Sequence, residues 1–371
     1  MEIAPALLEH WMRRYYFDTE IDIGSSGVES FSMSELHRLL GLSRDDLDQI
    51  VFDDSRTLGA PGLRAAIGDR WANGDSSRVM ATHGSSEGIF LAMNALLRPG
   101  DEVITVSPSY QQLFAIAESN GCKVKFWNLD FKRGFVPDVE RLKRLVTGRT
   151  RMLVVNFPHN PTGTSLTPEL QKELVDVVAE TESYLLWDGA FTEMTYGRPP
   201  LPDPGVWYDR TITLGTLSKG YGLPGLRVGW LLASPEILER LVGIRDYLTL
   251  HLSPLIELIA ERAVRNADVL LRVRMEQAGA NLSTLAAWVE RLRELVDWTP
   301  PQGGVCAFLR MPGVGDVEAF CHRLAREYRV LLVPGTCFNQ PGFARLGFGG
   351  PSPKFEEGLT RLSDLLVKVS R

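Results

Sequence analysis

The sequence predicts an α/β protein with a large domain built on a mainly parallel, doubly wound sheet and a smaller α/β domain. Short apolar segments alternate with helical segments between about residues 78 and 232, which is the order that a parallel sheet requires. Long helical patterns follow from about residue 235, and a second mixed group of strands and helices comes after them. The length of 371 residues is sufficient for two structural domains.

The first 35 residues or so are predicted to form an arm and an entry loop. They combine an amphipathic start, including Leu8, Trp11 and Met12, with a glycine and serine turn at residues 24–27. Further on, the segment 59–62 reads Gly-Ala-Pro-Gly and precedes the helical pattern that begins at Leu63. Proline is tolerated in the first turn of a helix, so this segment predicts a turn that leads into a helix.

The alternating region predicts the elements of the large sheet. Strands are expected near residues 78–82, 103–107, 123–129, 151–156, 184–188, 211–215 and 227–232, and helices near 86–97, 111–120, 138–146 and 168–181. Ligands of such sheets bind beyond the carboxyl ends of the strands. Functional residues are therefore expected directly after these apolar runs.

The remaining pattern predicts a connector and the smaller domain. Helices are expected near 235–247 and 255–293, the second as one elongated connector, followed by strands near 304–310, 329–333 and 343–348 and helices near 316–327 and 353–369. The predicted division is an arm that includes part of the small domain (1–40), a large domain (41–255), and the connector with the small C-terminal domain (256–371).

Composition and charge exclude several classes of function. No apolar run approaches the roughly 20 residues of a membrane helix, and the net charge of −6 disfavours nonspecific binding to nucleic acid. The four cysteines have neither metal-ligand spacing nor the density of a disulfide scaffold. Without a signal-peptide pattern, a reducing, cytoplasmic compartment and no metal site are expected.

Lys219 stands in a loop of small and hydroxyl residues directly after an apolar, β-branched run at 211–214. A lysine at a strand end is desolvated, and nearby Thr216, Ser218 and Arg227 are suitable donors to a phosphate. This combination suggests a Schiff base to pyridoxal phosphate. Taken alone, the loop fits a plain turn equally well.

Three further motifs lie at the ends of predicted strands. Ser85 and Ser86 begin a helix, where free backbone amides can cradle a phosphate, although the motif alone favours an ordinary serine cap. Asn160 precedes a proline, which holds it in an extended conformation. This suits a fixed side-chain donor, and the alternative is a rigid loop with no such role. Asp188 closes a buried strand, where a carboxylate needs a partner such as a pyridinium nitrogen.

Taken together, these motifs resemble the class I/II aminotransferases of fold type I. The resemblance is carried by Asn160-Pro161-Thr162-Gly163, by Asp188, and by Ser218-Lys219 with the glycine-rich segment 222–229. It extends in order over nearly the whole chain. The resemblance implies pyridoxal 5'-phosphate as cofactor, an amino acid as substrate and a homodimer.

The resemblance also assigns roles to individual residues. Lys219 would carry the cofactor, Asp188 would pair with its ring nitrogen, and Asn160 would bind its phenolic oxygen. Tyr110 matches the aromatic residue that stacks on the ring, although without this match it reads as an ordinary half-buried tyrosine. Phosphate contacts fall on Ser85, Ser86, Thr216 and Arg227, and contacts with the substrate α-carboxylate fall on Arg345 and on the loop around Gly27.

Two departures from the family pattern bear on the substrate. Phe191 stands where the family usually has a tyrosine that binds the same cofactor oxygen as Asn160, and Asp54 replaces a tyrosine that reaches the phosphate of the partner subunit. An acidic residue at this place favours a cationic, arginine-like substrate, unless Asp54 only caps a turn and faces solvent.

Within the family, the chain most resembles members that eliminate the hydroxyl of 3-hydroxyarginine and cyclise its guanidino group in antibiotic biosynthesis. A plain aminotransferase that releases a 2-oxo acid is the alternative. A cofactor-binding transcription regulator would carry a DNA-binding domain before the matching region. That reading is disfavoured, because the match begins near residue 1 and the net charge is acidic.

Overall fold

A seven-stranded sheet forms the centre of the larger part of the molecule in the computed structural model, which describes residues 2–369. The strands along the chain are β1 (Ile21–Asp22), β2 (Val79–Thr82), β3 (Glu102–Ser107), β4 (Lys123–Asn128), β5 (Thr150–Asn156), β6 (Tyr184–Asp188), β7 (Thr211–Thr216), β8 (Gly229–Leu232), β9 (Cys306–Arg310), β10 (Val330–Leu331), β11 (Val333–Pro334) and β12 (Phe343–Gly347). The α-helices are α1 (Leu7–Tyr15), α2 (Met33–Leu40), α3 (Arg44–Asp48), α4 (Pro61–Trp71), α5 (Gly84–Leu96), α6 (Gln112–Ser119), α7 (Val139–Leu145), α8 (Pro168–Glu180), α9 (Pro235–Arg245), α10 (Pro254–Arg265), α11 (Ala267–Arg291), α12 (Val317–Glu327) and α13 (Ser352–Val369).

The large sheet has the strand order β2-β8-β7-β6-β5-β3-β4. The pairs from β4 through β3, β5 and β6 to β7 are parallel, whereas β8 runs antiparallel to both β7 and β2. Asn156 pairs in register with Asp188, and Asp188 pairs with Leu214. The carboxyl ends of the three central strands therefore lie side by side, and the predicted mainly parallel, doubly wound sheet is confirmed.

The central strands are buried because apolar side chains face both sides of the sheet. In β5, Leu153 and Val155 belong to one hydrophobic core, while Met152 and Val154 belong to a second core on the opposite face. Helices cover both faces, so the strand reads as a continuous apolar run and does not alternate with polar residues. This explains why these strands could be located from the sequence.

The smaller unit contains a three-stranded antiparallel sheet in the order β11-β12-β9 and a parallel pair between β1 and β10. The pairing of β1 with β10 joins the N-terminal segment to the C-terminal part of the chain. Helix α1 is anchored to the same unit, because the indole Nε1 of Trp11 donates a hydrogen bond to the carbonyl of Leu332 at 3.0 Å. These contacts attach the N-terminal segment to the smaller unit, whereas the domain boundaries given above remain predictions.

The structure corrects one predicted element. The expected single connector near 255–293 is two helices, α10 and α11, because the chain leaves helical geometry at Asn266 (φ −114°, ψ 23°). The side-chain amide of Asn266 donates to the carbonyl of Arg262 at 2.8 Å, and such local bonds compete with a continuous helix. Within residues 2–369, none of the helices is both long enough and apolar enough to cross a membrane.

Candidate active site

A cavity of about 990 Å³ lies at the carboxyl edge of the large sheet, between that sheet, the N-terminal segment and strand β12. Its walls include ten of the eleven residues singled out from the sequence, which are Gly27, Ser85, Ser86, Tyr110, Asn160, Asp188, Thr216, Lys219, Arg227 and Arg345. The eleventh residue, Asp54, does not line it. Most of these residues follow a strand or end one, as expected for a parallel sheet.

Asp188 lies on the floor of the cavity at the end of β6, a strand whose residues are all buried. One carboxylate oxygen accepts a hydrogen bond from the backbone N–H of Ala190 at 3.1 Å. Burial raises the pKa of Asp188 to about 6, although the Ala190 bond and the charge of Lys219 act in the opposite direction. A carboxylate that is this costly to ionise is well suited to a cationic partner.

Lys219 enters the cavity from the loop after β7. Its Nζ donates to the hydroxyl of Ser26 at 2.8 Å and lies 5.7 Å from the centre of the Phe191 ring. Burial, followed by the positive charge of Arg345, lowers the pKa of Lys219. A buried amine with a lowered pKa is more often neutral, and a neutral amine can act as a nucleophile or as a base.

Arg345 is buried on the middle strand of the small sheet and points into the same cavity. Its Nε and Nη2 both donate to the carbonyl of Gly24, at 3.2 and 2.9 Å, and its Nη1 donates to Oδ1 of Asn160 at 3.1 Å. The guanidinium is therefore fixed in one orientation, which suits a bidentate contact with a carboxylate.

Asn160 is held in turn by the sheet. Its backbone N–H donates to Oδ1 of Asn156 at 2.8 Å, and the amide of Asn156 donates to the carbonyl of Asp188 at 2.8 Å. This chain of bonds links the loop after β5 to the end of β6. It fixes Asn160 relative to Asp188 within a buried network.

Polar groups suited to an anion converge on one side of the cavity. Helix α5 begins here at Gly84, and the hydroxyl of Thr216 donates to Ser218 Oγ at 3.0 Å. Arg227, in a left-handed conformation (φ 55°), reaches over the same place. Gly84 has a φ of +71°, and a Cβ on it would lie 2.7 Å from Nη2 of Arg227. Only glycine lets the guanidinium approach the helix start, where backbone N–H groups attract anions.

The donor set fits pyridoxal phosphate. The Thr216, Ser218 and Arg227 side chains and the start of α5 suit its phosphate, and the buried Asp188 suits a protonated ring nitrogen. Lys219 supplies an amine, and the charge of Asp188 is close enough to act on its pKa. The fit rests on the chemistry of these residues.

The structure does not bring Asp54 to the cavity of its own chain. The side chain of Asp54 is 97% exposed, and it contacts Nε2 of His251 at 3.1 Å. In the chain as described, it matches the alternative reading of a solvent-facing residue. A role at a partner's site depends on a dimer and stays a prediction.

One lining residue that sequence reasoning missed is Glu9. It lies on α1, and its Oε1 accepts a hydrogen bond from the hydroxyl of Tyr110 at 3.0 Å. Burial, with the charge of Glu9 next, raises the pKa of Tyr110. The available signal was the helical spacing of Glu9, Met12 and Arg13 on α1 and of Tyr16 at its end, all of which line the cavity.

Comparison with known proteins adds information on family and fold. Residues 55–362 match the family described as aminotransferase class I and II. The chain is 44% identical to capreomycidine synthase of Streptomyces vinaceus over 371 residues, covering 100% of this chain and 95% of that protein. It is similar to a crystal structure of the PLP-dependent cyclase OrfR, with a TM-score of 0.94 and 44% identity over 99% of this chain and 98% of the other. A PLP-dependent aminotransferase from Streptococcus suis has the same TM-score at 29% identity, covering 99% of each chain.

Proposed function

The chain belongs to the aminotransferase class I and II family, and from that premise we propose that it is a pyridoxal 5'-phosphate-dependent cyclase of the capreomycidine synthase type. The proposed substrate is 3-hydroxyarginine, and the product is the cyclic guanidino amino acid formed from it in antibiotic biosynthesis. The observation that carries the proposal is the 44% identity with capreomycidine synthase along the full chain. The likeness to a solved cyclase supports it.

The residues of the cavity take the roles that the family pattern implies. Lys219 holds the cofactor covalently, Asp188 pairs with its ring nitrogen, and Asn160 donates to its phenolic oxygen. Tyr110 packs against the ring, and Ser85, Ser86, Thr216 and Arg227 bind the phosphate. Pyridoxal phosphate, when bound, supplies a ring that accepts the electrons left on the substrate α-carbon after a proton is removed.

Arg345 then binds the substrate, and Lys219 transfers its α-proton. The fork of Arg345, already oriented by Gly24 and Asn160, binds the α-carboxylate. Nζ of Lys219, which would be freed when the substrate amine takes its place on the cofactor, has a lowered pKa. It removes the α-proton and later returns one to the α-carbon.

The proposed reaction is an elimination followed by a ring closure. The bond between the β-carbon and its hydroxyl breaks, and a guanidino nitrogen forms a bond to the same β-carbon, closing a six-membered ring. The nitrogen loses one proton and the hydroxyl leaves as water. The α-proton is removed and replaced, so the overall change is loss of one water with no oxidant or reductant.

Plain transamination is the second candidate. It is favoured by relatives with aminotransferase names, such as an aspartate aminotransferase of Thermotoga maritima that is 30% identical over 82% of this chain and 80% of that protein. Both reactions begin with removal of the α-proton by Lys219, so they separate only afterwards. A 2-oxo acid among the products would favour transamination.

We also propose a homodimer. Large apolar side chains are exposed in two adjoining segments, with Val51 and Phe52 at 74% and 75% and Tyr247 at 90%. The segments are linked by the contact between Asp54 and His251. A second copy would cover this surface and bring Asp54 near its site. Sedimentation of the purified protein tests this, and a fully active monomer would contradict it.

The reaction is tested by offering the purified holoprotein 3-hydroxyarginine and a set of common neutral amino acids. We expect a much larger kcat/KM for the guanidino substrate. Efficient turnover of neutral amino acids, with none of 3-hydroxyarginine, would reject the cyclase assignment.

A further inference from the structure

Among residues 2–369, five acidic side chains line the active-site cavity, which are Glu9, Glu20, Asp22, Glu29 and Asp188. Asp188 lies on the floor, where its charge is directed at the cofactor. A guanidinium-bearing substrate needs another acidic partner, because a cation taken out of water is costly unless it is paired. The other four carboxylates differ in how far their charge is already satisfied.

Two of the four are occupied by arginines of the protein. Glu20 contacts Nη1 of Arg361 at 3.0 Å. Glu29 contacts Nη1 of Arg274 at 3.1 Å. Each negative charge is balanced within the chain, so neither is free to meet a substrate cation without first losing its partner.

One carboxylate oxygen of Asp22 is committed to the backbone. This oxygen, Oδ1, accepts hydrogen bonds from the N–H groups of Gly24 and Ser25, at 2.8 and 2.9 Å. These bonds fix the turn whose Gly24 carbonyl holds Arg345. Asp22 therefore shapes the site for the α-carboxylate at the opposite end of the substrate from the guanidinium.

Glu9 is the remaining carboxylate. Among residues 2–369 it forms no ion pair, and its side-chain hydrogen bond comes from the hydroxyl of Tyr110 to Oε1 at 3.0 Å. Its helix is fixed by the bond from Trp11 to Leu332, and Glu9 itself is half-buried. One of its oxygens is thus held by Tyr110, and the other is available on the cavity wall.

Glu9 lines the same cavity as Arg345 and Lys219. Its charge reaches Lys219, because it partly offsets the lowering of the Lys219 pKa that burial and then Arg345 cause. The Lys219 amine is therefore influenced by charges from both Arg345 and Glu9. An arginine-like amino acid held by its carboxylate at Arg345, with its α-carbon beside Lys219, would extend its cationic end to another part of the wall.

We propose that Glu9 is the specificity-determining residue that binds the guanidinium of the substrate through its free carboxylate oxygen, while Tyr110 holds the other oxygen in place. This inference rests on the proposed function, since it names the group that recognises the proposed substrate class. A charge-assisted bond between a carboxylate and a guanidinium is among the stronger and more directional polar contacts in proteins. Within one chain, Glu9 therefore takes the role of acidic partner that the sequence suggested for Asp54.

The test compares ligands that differ only in charge at the far end. L-Arginine carries a guanidinium, whereas L-citrulline carries a neutral ureido group of similar shape. The dissociation constants of both are measured for the holoprotein from the absorbance change of the bound cofactor, a readout that does not require turnover. Glu9→Gln removes the charge but keeps an acceptor for Tyr110, and Glu20→Gln is the matched control because Arg361 already balances that charge.

In Glu9→Gln we expect L-arginine to bind about 10- to 100-fold more weakly while L-citrulline changes by less than about 3-fold, the usual range for loss of one charged hydrogen bond. Glu20→Gln should leave the ratio of the two constants unchanged. If the unaltered protein prefers L-arginine and Glu9→Gln retains that preference, Glu9 is not the recognition residue. If the unaltered protein binds the two ligands equally, the proposed guanidino substrate itself is wrong.

Discussion

Replacing Asp188 with asparagine should remove a pH-dependent loss of stability from the cofactor-free protein. Burial raises the pKa of Asp188 from 3.8 to about 6, so the folded protein holds a proton that the unfolded chain has already released between these values. The resulting stabilisation is complete below the lower pKa and is lost as the pH rises through the upper one. At about 1.4 kcal/mol for each pKa unit, the whole effect is about 3 kcal/mol.

The assay is urea unfolding of the cofactor-free protein and of Asp188→Asn at pH 4.5 and at pH 8. About 2 of the 3 kcal/mol of stabilisation are lost between pH 4.5 and pH 8. The free energy of unfolding of the variant should therefore rise by about 2 kcal/mol relative to that of the unaltered protein on going to the higher pH. Other titrating groups cancel in the difference, because they are common to both proteins. A difference in unfolding free energy that is the same at both pH values would refute the reasoning about Asp188.

Three further substitutions test other parts of the site. Arg345→Lys loses the bidentate fork and should lower kcat/KM about 10- to 100-fold for guanidino and neutral substrates alike; a loss confined to one class would contradict its role at the α-carboxylate. Gly84→Ala places a Cβ 2.7 Å from Nη2 of Arg227 and should weaken cofactor binding about 10-fold or more in a fluorescence titration. Gly279→Ala, where a Cβ meets nothing within 4 Å, is its control, and equal affinities would count against the anion site. Phe191→Tyr adds a donor beside the cofactor and should lower the pH midpoint of its absorbance change by about one unit, whereas an unchanged midpoint would place the new hydroxyl elsewhere.

The large sheet could be predicted from the sequence because its strands are buried on both faces. Segments such as β5 and β6 are continuous apolar runs bounded by polar residues, and alternation with helices determines that they pair in parallel. The break at Asn266 was not predicted. A single asparagine inside a long helical pattern is a weak signal, and its effect depends on the local bond to Arg262.

The site residues also differ in how they could be found: some are marked by the neighbouring sequence, and others are placed by contacts that are distant in the chain. Lys219 and Asp188 could be singled out locally, because each is a charged residue placed directly after a buried strand. The roles of Arg345 and Tyr110 came only through resemblance to a family. The position of Glu9 depends on helix α1 docking through Trp11 onto a carbonyl 321 residues away in the chain, and no local pattern specifies such a contact.

The most direct measurement of the central claim is the mass of the product formed from 3-hydroxyarginine in heavy water. If Lys219 removes the α-proton, the hydroxyl leaves and the guanidino group closes the ring, the product is lighter than the substrate by one water and carries solvent deuterium at the α-carbon. No 2-oxo acid should accumulate. A 2-oxo acid that retains the 3-hydroxyl, without the cyclic product, would contradict the account and identify the chain as an aminotransferase.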